Sequence, residues 1–177
     1  MTVVLLISGS TRAASTNSAA LRTVQAIAPE GIETAWYDGL PELPAFSPDD
    51  DGTGHPSVLA LREQLSRADA VLLCTPEYAG TLPGSFKNLL DWTVGTAHLY
   101  EKPTTWINVG APGRGEGADA TLALVLGYVG AHVEPTGRAK LTVARDAVGE
   151  DGLVTDPEFH TAALEVLTRL VHHATHQ

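Results

Sequence analysis

Apolar and polar positions alternate along this chain in blocks that switch repeatedly between strand-like and helix-like periods. Thr2 to Ser8 (TVVLLIS) is an unbroken β-branched apolar run, the pattern of a strand buried on both faces. Leu21, Val24, Ile27 and Ala28 follow at helical spacing, and Pro29-Glu30-Gly31 ends that helix. ETAWYD reads as a second strand, and GLPELPAFSPDDDGTG, rich in Pro, Gly and Asp, as a loop. Val58, Leu61, Leu65 and Ala68 mark a second helix with Pro56 near its first turn. DAVLLCT is a third strand and SFKNLLDWTV a third helix. TTWINVG is a fourth strand running into the glycine-rich GAPGRGEGA, and Leu122, Leu126 and Val129 support a fourth helix. A fifth strand lies within AHVEPTGRAKLTV, as either AKLTV or HVEPT. Phe159, Ala163, Val166, Leu167 and Leu170 line one face of a last helix.

Strict alternation of strands and helices implies βαβ units, hence an α/β, doubly wound three-layer sandwich around a five-stranded parallel sheet. The expectation is one domain over residues 1–177. Ligands of such sheets bind outside the carboxyl ends of the strands, so the loops after strands one, three and four carry the interest.

Composition narrows the partners. With 44% hydrophobic and 18% charged residues the chain is globular. Eleven Lys and Arg against 21 Asp and Glu leave a net charge of -10, which disfavours nucleic acid and anionic membrane as partners. A local pocket can still take an anion if it brings its own donors. The single cysteine, Cys74, allows no internal disulfide and suits a cytoplasmic setting; within AVLLC it reads as a small buried hydrophobe. Met1 is followed by a strand-like run without a basic n-region or cleavage site, so no signal peptide is expected, and no apolar stretch nears the ~20 residues of a membrane span.

The first loop, SGSTRAASTNS, is crowded with hydroxyls, one arginine and one amide between a strand's carboxyl end and a helix's amino end. Free N–H groups and the helix dipole make that a natural anion site. Ser10, Ser15 and Thr16 offer O–H donors, Asn17 an N–H donor and Arg12 a charge-assisted fork. Such a set suits a terminal phosphate monoester better than a bridging pyrophosphate. The G-x-G-x-x-G of dinucleotide folds and the G-x-x-x-x-G-K-[ST] of triphosphate loops are both absent. Helix capping alone would explain one or two of these residues, not the cluster. After strand three, TPEYAGTLPG stiffens the backbone with Pro76 and Pro83, while Tyr78 offers a flat face to a heteroaromatic ring.

Together, GSTRAASTNSAAL and PEYAGTLPGSFKNLLDW resemble the NAD(P)H-dependent FMN reductase family, a flavodoxin-like group with azo-, quinone- and chromate-reducing members. YDGLPELPAF is similar to the family's acidic, proline-bearing loop after strand two. The resemblance implies that Ser10, Arg12, Ser15 and Asn17 hold the phosphate of non-covalently bound FMN, with Thr16 assisting. Pro76, Glu77 and Tyr78 would lie along the flavin ring through main-chain atoms. Thr81 stands where the family has serine, and Ala79 where it has Asn or His, removing a side chain near ring or substrate. Gly110 and Ala111 would approach the ring edge, and Arg114 the phosphates of a nicotinamide nucleotide.

The implied activity is FMN-dependent oxidoreduction, with NADPH or NADH as reductant and a flavin, quinone, azo dye or metal oxyanion as small-molecule acceptor. Because the cofactor carries the chemistry, no catalytic acid or base is assigned. The rival class is a flavodoxin-like electron carrier, although the arginine of G-S-x-R is foreign to classical flavodoxins. A flavin-free assembly protein would require an empty first loop. The resemblance also implies a homodimer or homotetramer, to which Phe86, Leu89, Leu90 and Trp92 could contribute if they are not core. Metal binding is not expected: beside His173, His172 and His176 have i, i+4 spacing but no acidic or cysteine ligand close in sequence, and Asp49-Asp50-Asp51 reads as a solvated loop.

Overall fold

The computed structural model describes residues 1–134 and 138–176. Its elements alternate as expected: β1 (Thr2–Ser8), α1 (Thr16–Ile27), β2 (Ile32–Tyr37), α2 (Pro56–Arg67), β3 (Ala70–Cys74), α3 (Gly84–Val94), β4 (Pro103–Asn108), α4 (Glu116–Tyr128), β5 (His132–Val133), β6 (Ala139–Lys140) and α5 (Pro157–Thr175). The pairings between these strands are all parallel, in the order β2-β1-β3-β4-β5, with β6 also on β4.

The alternation of side chains along β1 builds the three layers. Leu5 and Ile7 face a core formed with α2, α3 and α4, through Leu61, Phe86 and Leu122 among others. Val4 and Leu6 face the opposite core, formed with α1 and α5 through Leu21, Val24, Phe159 and Leu167. Phe86, Leu89, Leu90 and Trp92 are all fully buried within the chain, so they are core and not a partner-facing stripe. Buried Thr23 ties the α1/α5 layer together. Its hydroxyl donates to the Ala19 carbonyl (2.8 Å) and accepts from the Val154 N–H (2.8 Å), tying α1 to the segment before α5.

The fifth strand is split. His132–Val133 pairs with Pro103–Thr104, and Ala139–Lys140 with Ile107–Asn108, so both candidate segments contribute two residues to one sheet position. Pro135 and Thr136 of HVEPT lie outside the described residues. The acidic loop after β2 keeps Asp49 and Asp51 exposed and is hydrogen-bonded within itself. Asp50 accepts from the Gly52 N–H (2.8 Å) and bonds His55 (2.7 Å), and both interactions hold its carboxyl below the usual range. Asp51 accepts from Thr53, and the Pro44 carbonyl accepts from Trp92 Nε1 and Asn88 Nδ2 (both 2.9 Å), fastening the loop to α3.

Candidate functional site

Beyond Ser8 the chain makes its closest approach to the neighbouring strand. The Gly9 N–H donates to the Cys74 carbonyl (2.8 Å), and a Cβ on Gly9 would overlap the side chains of Thr75 and Phe86. The first loop then closes on itself through hydroxyl acceptors. Ser8 Oγ accepts from the Ser10 N–H, Ser10 Oγ from the Arg12 N–H (both 3.3 Å), and Ser15 Oγ caps α1 by accepting from the Ser18 N–H (3.4 Å). A hydroxyl that accepts in this way keeps its own proton. Ser10 and Ser15 therefore shape the loop and still have O–H groups to give. The Arg12 guanidinium has no protein partner among the described residues, and its side chain is exposed.

Asn17 sits beneath the loop, almost fully buried. Its Oδ1 accepts from the thiol of Cys74 on β3 (3.3 Å). With the carbonyl end used inward, the amide N–H end has no hydrogen-bond partner among the described residues. Burial, with a smaller push from the Asp119 carboxylate, raises the Cys74 thiol far above its ordinary pKa and keeps it a neutral donor.

The second and third loops are built against each other. Tyr78 and Thr81 exchange both main-chain hydrogen bonds (2.9 and 3.0 Å) around Ala79 (φ 50°) and Gly80 (φ 76°), a two-residue turn with positive φ at both central positions. Asn tolerates that backbone better than Ala, so Ala79 loses a turn-former as well as a side chain. The Glu77 carboxylate accepts from the N–H groups of Gly117 (2.8 Å) and Ala118 (3.2 Å), capping α4 where Gly115 has no side chain to do so. Gly117 is obligatory there, because a Cβ would overlap the Gly80 carbonyl oxygen. Thr121 donates to the Gly117 carbonyl (2.8 Å), so the 2.9 Å contact between hydroxyls makes Thr81 the donor to Thr121. In the third loop Pro112 and Gly113 (φ 74°) form a tight turn closed by the Arg114 N–H on the Ala111 carbonyl (2.9 Å). Asn108 fixes its base, accepting from the Gly110 N–H (2.8 Å) and donating to Asp119 (2.7 Å), which also accepts from Trp106 Nε1 (2.9 Å).

The three loops meet at a cavity of about 220 Å³, at the switch point where chain order reverses between β1 and β3. Thr16, Asn17, Pro76, Glu77 and Gly110 line it, together with Arg114. Ser10, Tyr78, Ala79, Thr81 and Ala111 do not line it, although they lie in the same loops; Tyr78 is half-exposed. Arg12 and Ser15 line a larger cavity of about 780 Å³ on the α1/α5 side of the first loop, which Thr16 shares. The switch-point cavity is the one all three loops build, despite its smaller size. Thr75, Asn108, Val109 and Gly115 also line it and escaped the sequence reading. Thr75 and Val109 directly follow strands, a signal that could have found them; Asn108 and Gly115 carried none.

Among solved structures, the chain is similar to FerB, a flavoenzyme NAD(P)H:(acceptor) oxidoreductase from Paracoccus denitrificans. The TM-score is 0.83 at 27% identity, covering 98% of this chain and 99% of that one. A WrbA-like flavodoxin protein from Agrobacterium tumefaciens shares the fold with a TM-score of 0.60 at 16% identity, covering 99% of each chain. In sequence it is 41% identical over 90 residues to an NAD(P)H-dependent FMN reductase of Pseudomonas aeruginosa, covering 50% of this chain and 48% of that protein. It is 36% identical over 91 residues to a quinone reductase of Escherichia coli, with the same coverage. The chain spans about half the length of the curated relatives it matches. Residues 1–145 match the family model of the NADPH-dependent FMN reductases, and the chain belongs to that family.

Proposed function

We propose that this protein is an FMN-dependent oxidoreductase that takes reducing equivalents from NADPH or NADH and delivers them to a flavin, quinone, azo compound or metal oxyanion. The observation that carries this reading is the first loop: a set of donors at the α1 amino end that the protein itself leaves unspent. The residues present fit the cofactor. Arg12, the Ser10 and Ser15 hydroxyls, Thr16 and the Asn17 amide would hold the terminal phosphate. Main-chain atoms of Pro76, Glu77, Tyr78, Ala79 and Thr81, with Gly110 and Ala111, would flank the ring. Bound FMN supplies hydride acceptance and electron delivery. The chain's own part is to fix two rigid loops on either side of the ring, with Glu77 and Thr81 locking one and Asn108 the other. Arg114, on the cavity wall, adds positive charge for an anionic reductant.

Self-association completes the reading. Leu124 and Tyr128, one turn apart on α4, are 61% and 85% exposed, and a homodimer or homotetramer would cover them. A cytoplasmic site of action accords with a lone, buried cysteine.

The test is a visible absorption spectrum after FMN is added and excess removed, then after anaerobic NADPH. A retained flavin band that bleaches is the expected outcome. A band retained but bleached by neither NADPH nor NADH would make the protein an electron carrier, and no retained flavin would overturn the assignment of the first loop.

A further inference from the structure

The larger cavity, of about 780 Å³, gathers three of the chain's eight arginines from three separate segments: Arg12 of the first loop, Arg22 of α1, and Arg145 of the short turn after β6. Among the described residues no ion pair involves Arg12, Arg22 or Arg145. The one carboxylate in the wall, Asp151, turns an oxygen to the Leu153 N–H (3.1 Å). Arg22 donates to Gln25 Oε1 (2.9 Å), and its guanidinium carbon lies 3.6 Å from the centroid of the Trp36 ring.

We propose that the Arg22 and Arg145 side of this cavity is a second anion site, taking a nucleotide-type phosphate monoester, next to the flavin phosphate that Arg12, Ser15 and Thr16 would hold at its other side. Its volume lies in the ordinary range for small-molecule pockets. Unpaired guanidinium forks match phosphate oxygens in geometry and charge, and a positive basin in an acidic protein draws an anion from solution. The Arg22–Trp36 stack adds a planar, polarisable surface of the kind on which an aromatic base rests. The phosphate could belong to the 2′-phosphorylated end of NADPH or to a free nucleotide; the chemistry is shared. The proposal rests on the preceding reading in one respect, that FMN occupies the first loop.

The experiment is calorimetric titration of adenosine 2′,5′-bisphosphate into the FMN-loaded protein, with the visible flavin band recorded for every sample. The expected result is one binding site, weakened by salt, whose Kd rises about tenfold in Arg145→Gln and in Arg22→Gln, the scale of one lost charged hydrogen bond. The thermal midpoint of Arg145→Gln should stay unchanged, since among the described residues its side chain makes no hydrogen bond or ion pair. Arg12 is left intact because it serves the flavin phosphate. A raised KM for NADPH with an unmoved KM for NADH in Arg145→Gln would assign the site to the reductant. Unmoved KM for both, with bisphosphate binding weakened, would assign it to a free nucleotide. No binding to the FMN-loaded protein, or binding unchanged in both variants, overturns the proposal. So does binding seen only without flavin, which would merge the cavity with the flavin site. Loss of the flavin band in wild-type protein signals failure of the preceding reading instead.

Discussion

The first loop and the junction of the second and third loops use similar residues to opposite ends. In the first, Ser10 and Ser15 accept main-chain hydrogen bonds and keep their protons, Asn17 turns its carbonyl inward, and the Arg12 guanidinium reaches no partner among the described residues. At the junction nearly every polar group is consumed by the protein: Glu77 by α4, Thr81 by Thr121, Asn108 by Gly110 and Asp119. One region is the proposed binding surface, with its donors held in reserve. The other is a joint whose polar groups set the position of its backbone. Changes in the first should therefore appear in affinity, and changes in the second in stability.

The sharpest way to break this contrast is Gly117→Ala. A methyl group there must displace the Gly80 carbonyl, and the expected loss is about 3 kcal/mol, the upper end of ordinary overpacking, read by urea unfolding of the flavin-free protein. Next is Arg12→Gln, expected to weaken FMN by about 2 kcal/mol, roughly thirtyfold, as for a lost charged hydrogen bond. Its flavin-free stability should move by less than about 0.5 kcal/mol; a large loss would mean the arginine is structural. Glu77→Gln keeps one acceptor oxygen but removes the charge at the α4 amino end. About 1 kcal/mol of stability should go, with a smaller effect on flavin affinity than Arg12→Gln, measured on the same two axes. Smallest is Ala79→Gly, which should gain up to about 1 kcal/mol by relieving the left-handed backbone at φ 50°, offset in part by the extra freedom of glycine when unfolded. An unchanged urea midpoint would show that the turn carries no strain.

Sequence reveals the first region far better than the second, for a physical reason. Ser10, Arg12, Ser15 and Asn17 fall within eight residues and are the proposed contacts to one ligand, so their density is itself the signal. Glu77 meets Gly117 forty residues away, and Asn108 meets Asp119 across a loop; nothing local marks those pairs. Gly117 looks like any other glycine of GAPGRGEGA until α4 is packed on Gly80. The same holds for Arg22 and Arg145, which the fold alone brings to one cavity. For the elements, β1 is bounded as read because its apolar run is unbroken. The fifth strand stayed ambiguous because two segments each fill part of one position.

The bare backbone of Gly9 has a last consequence, for length selection. With no side chain between the ends of β1 and β3, the first and second loops are held at one separation, like the fixed jaws of a gauge. A molecule gripped at its phosphate by one jaw and along its ring by the other has to fit that gap. Riboflavin, which lacks the phosphate, would engage only one jaw, and a flavin whose phosphate is extended by an adenylate would overrun the other.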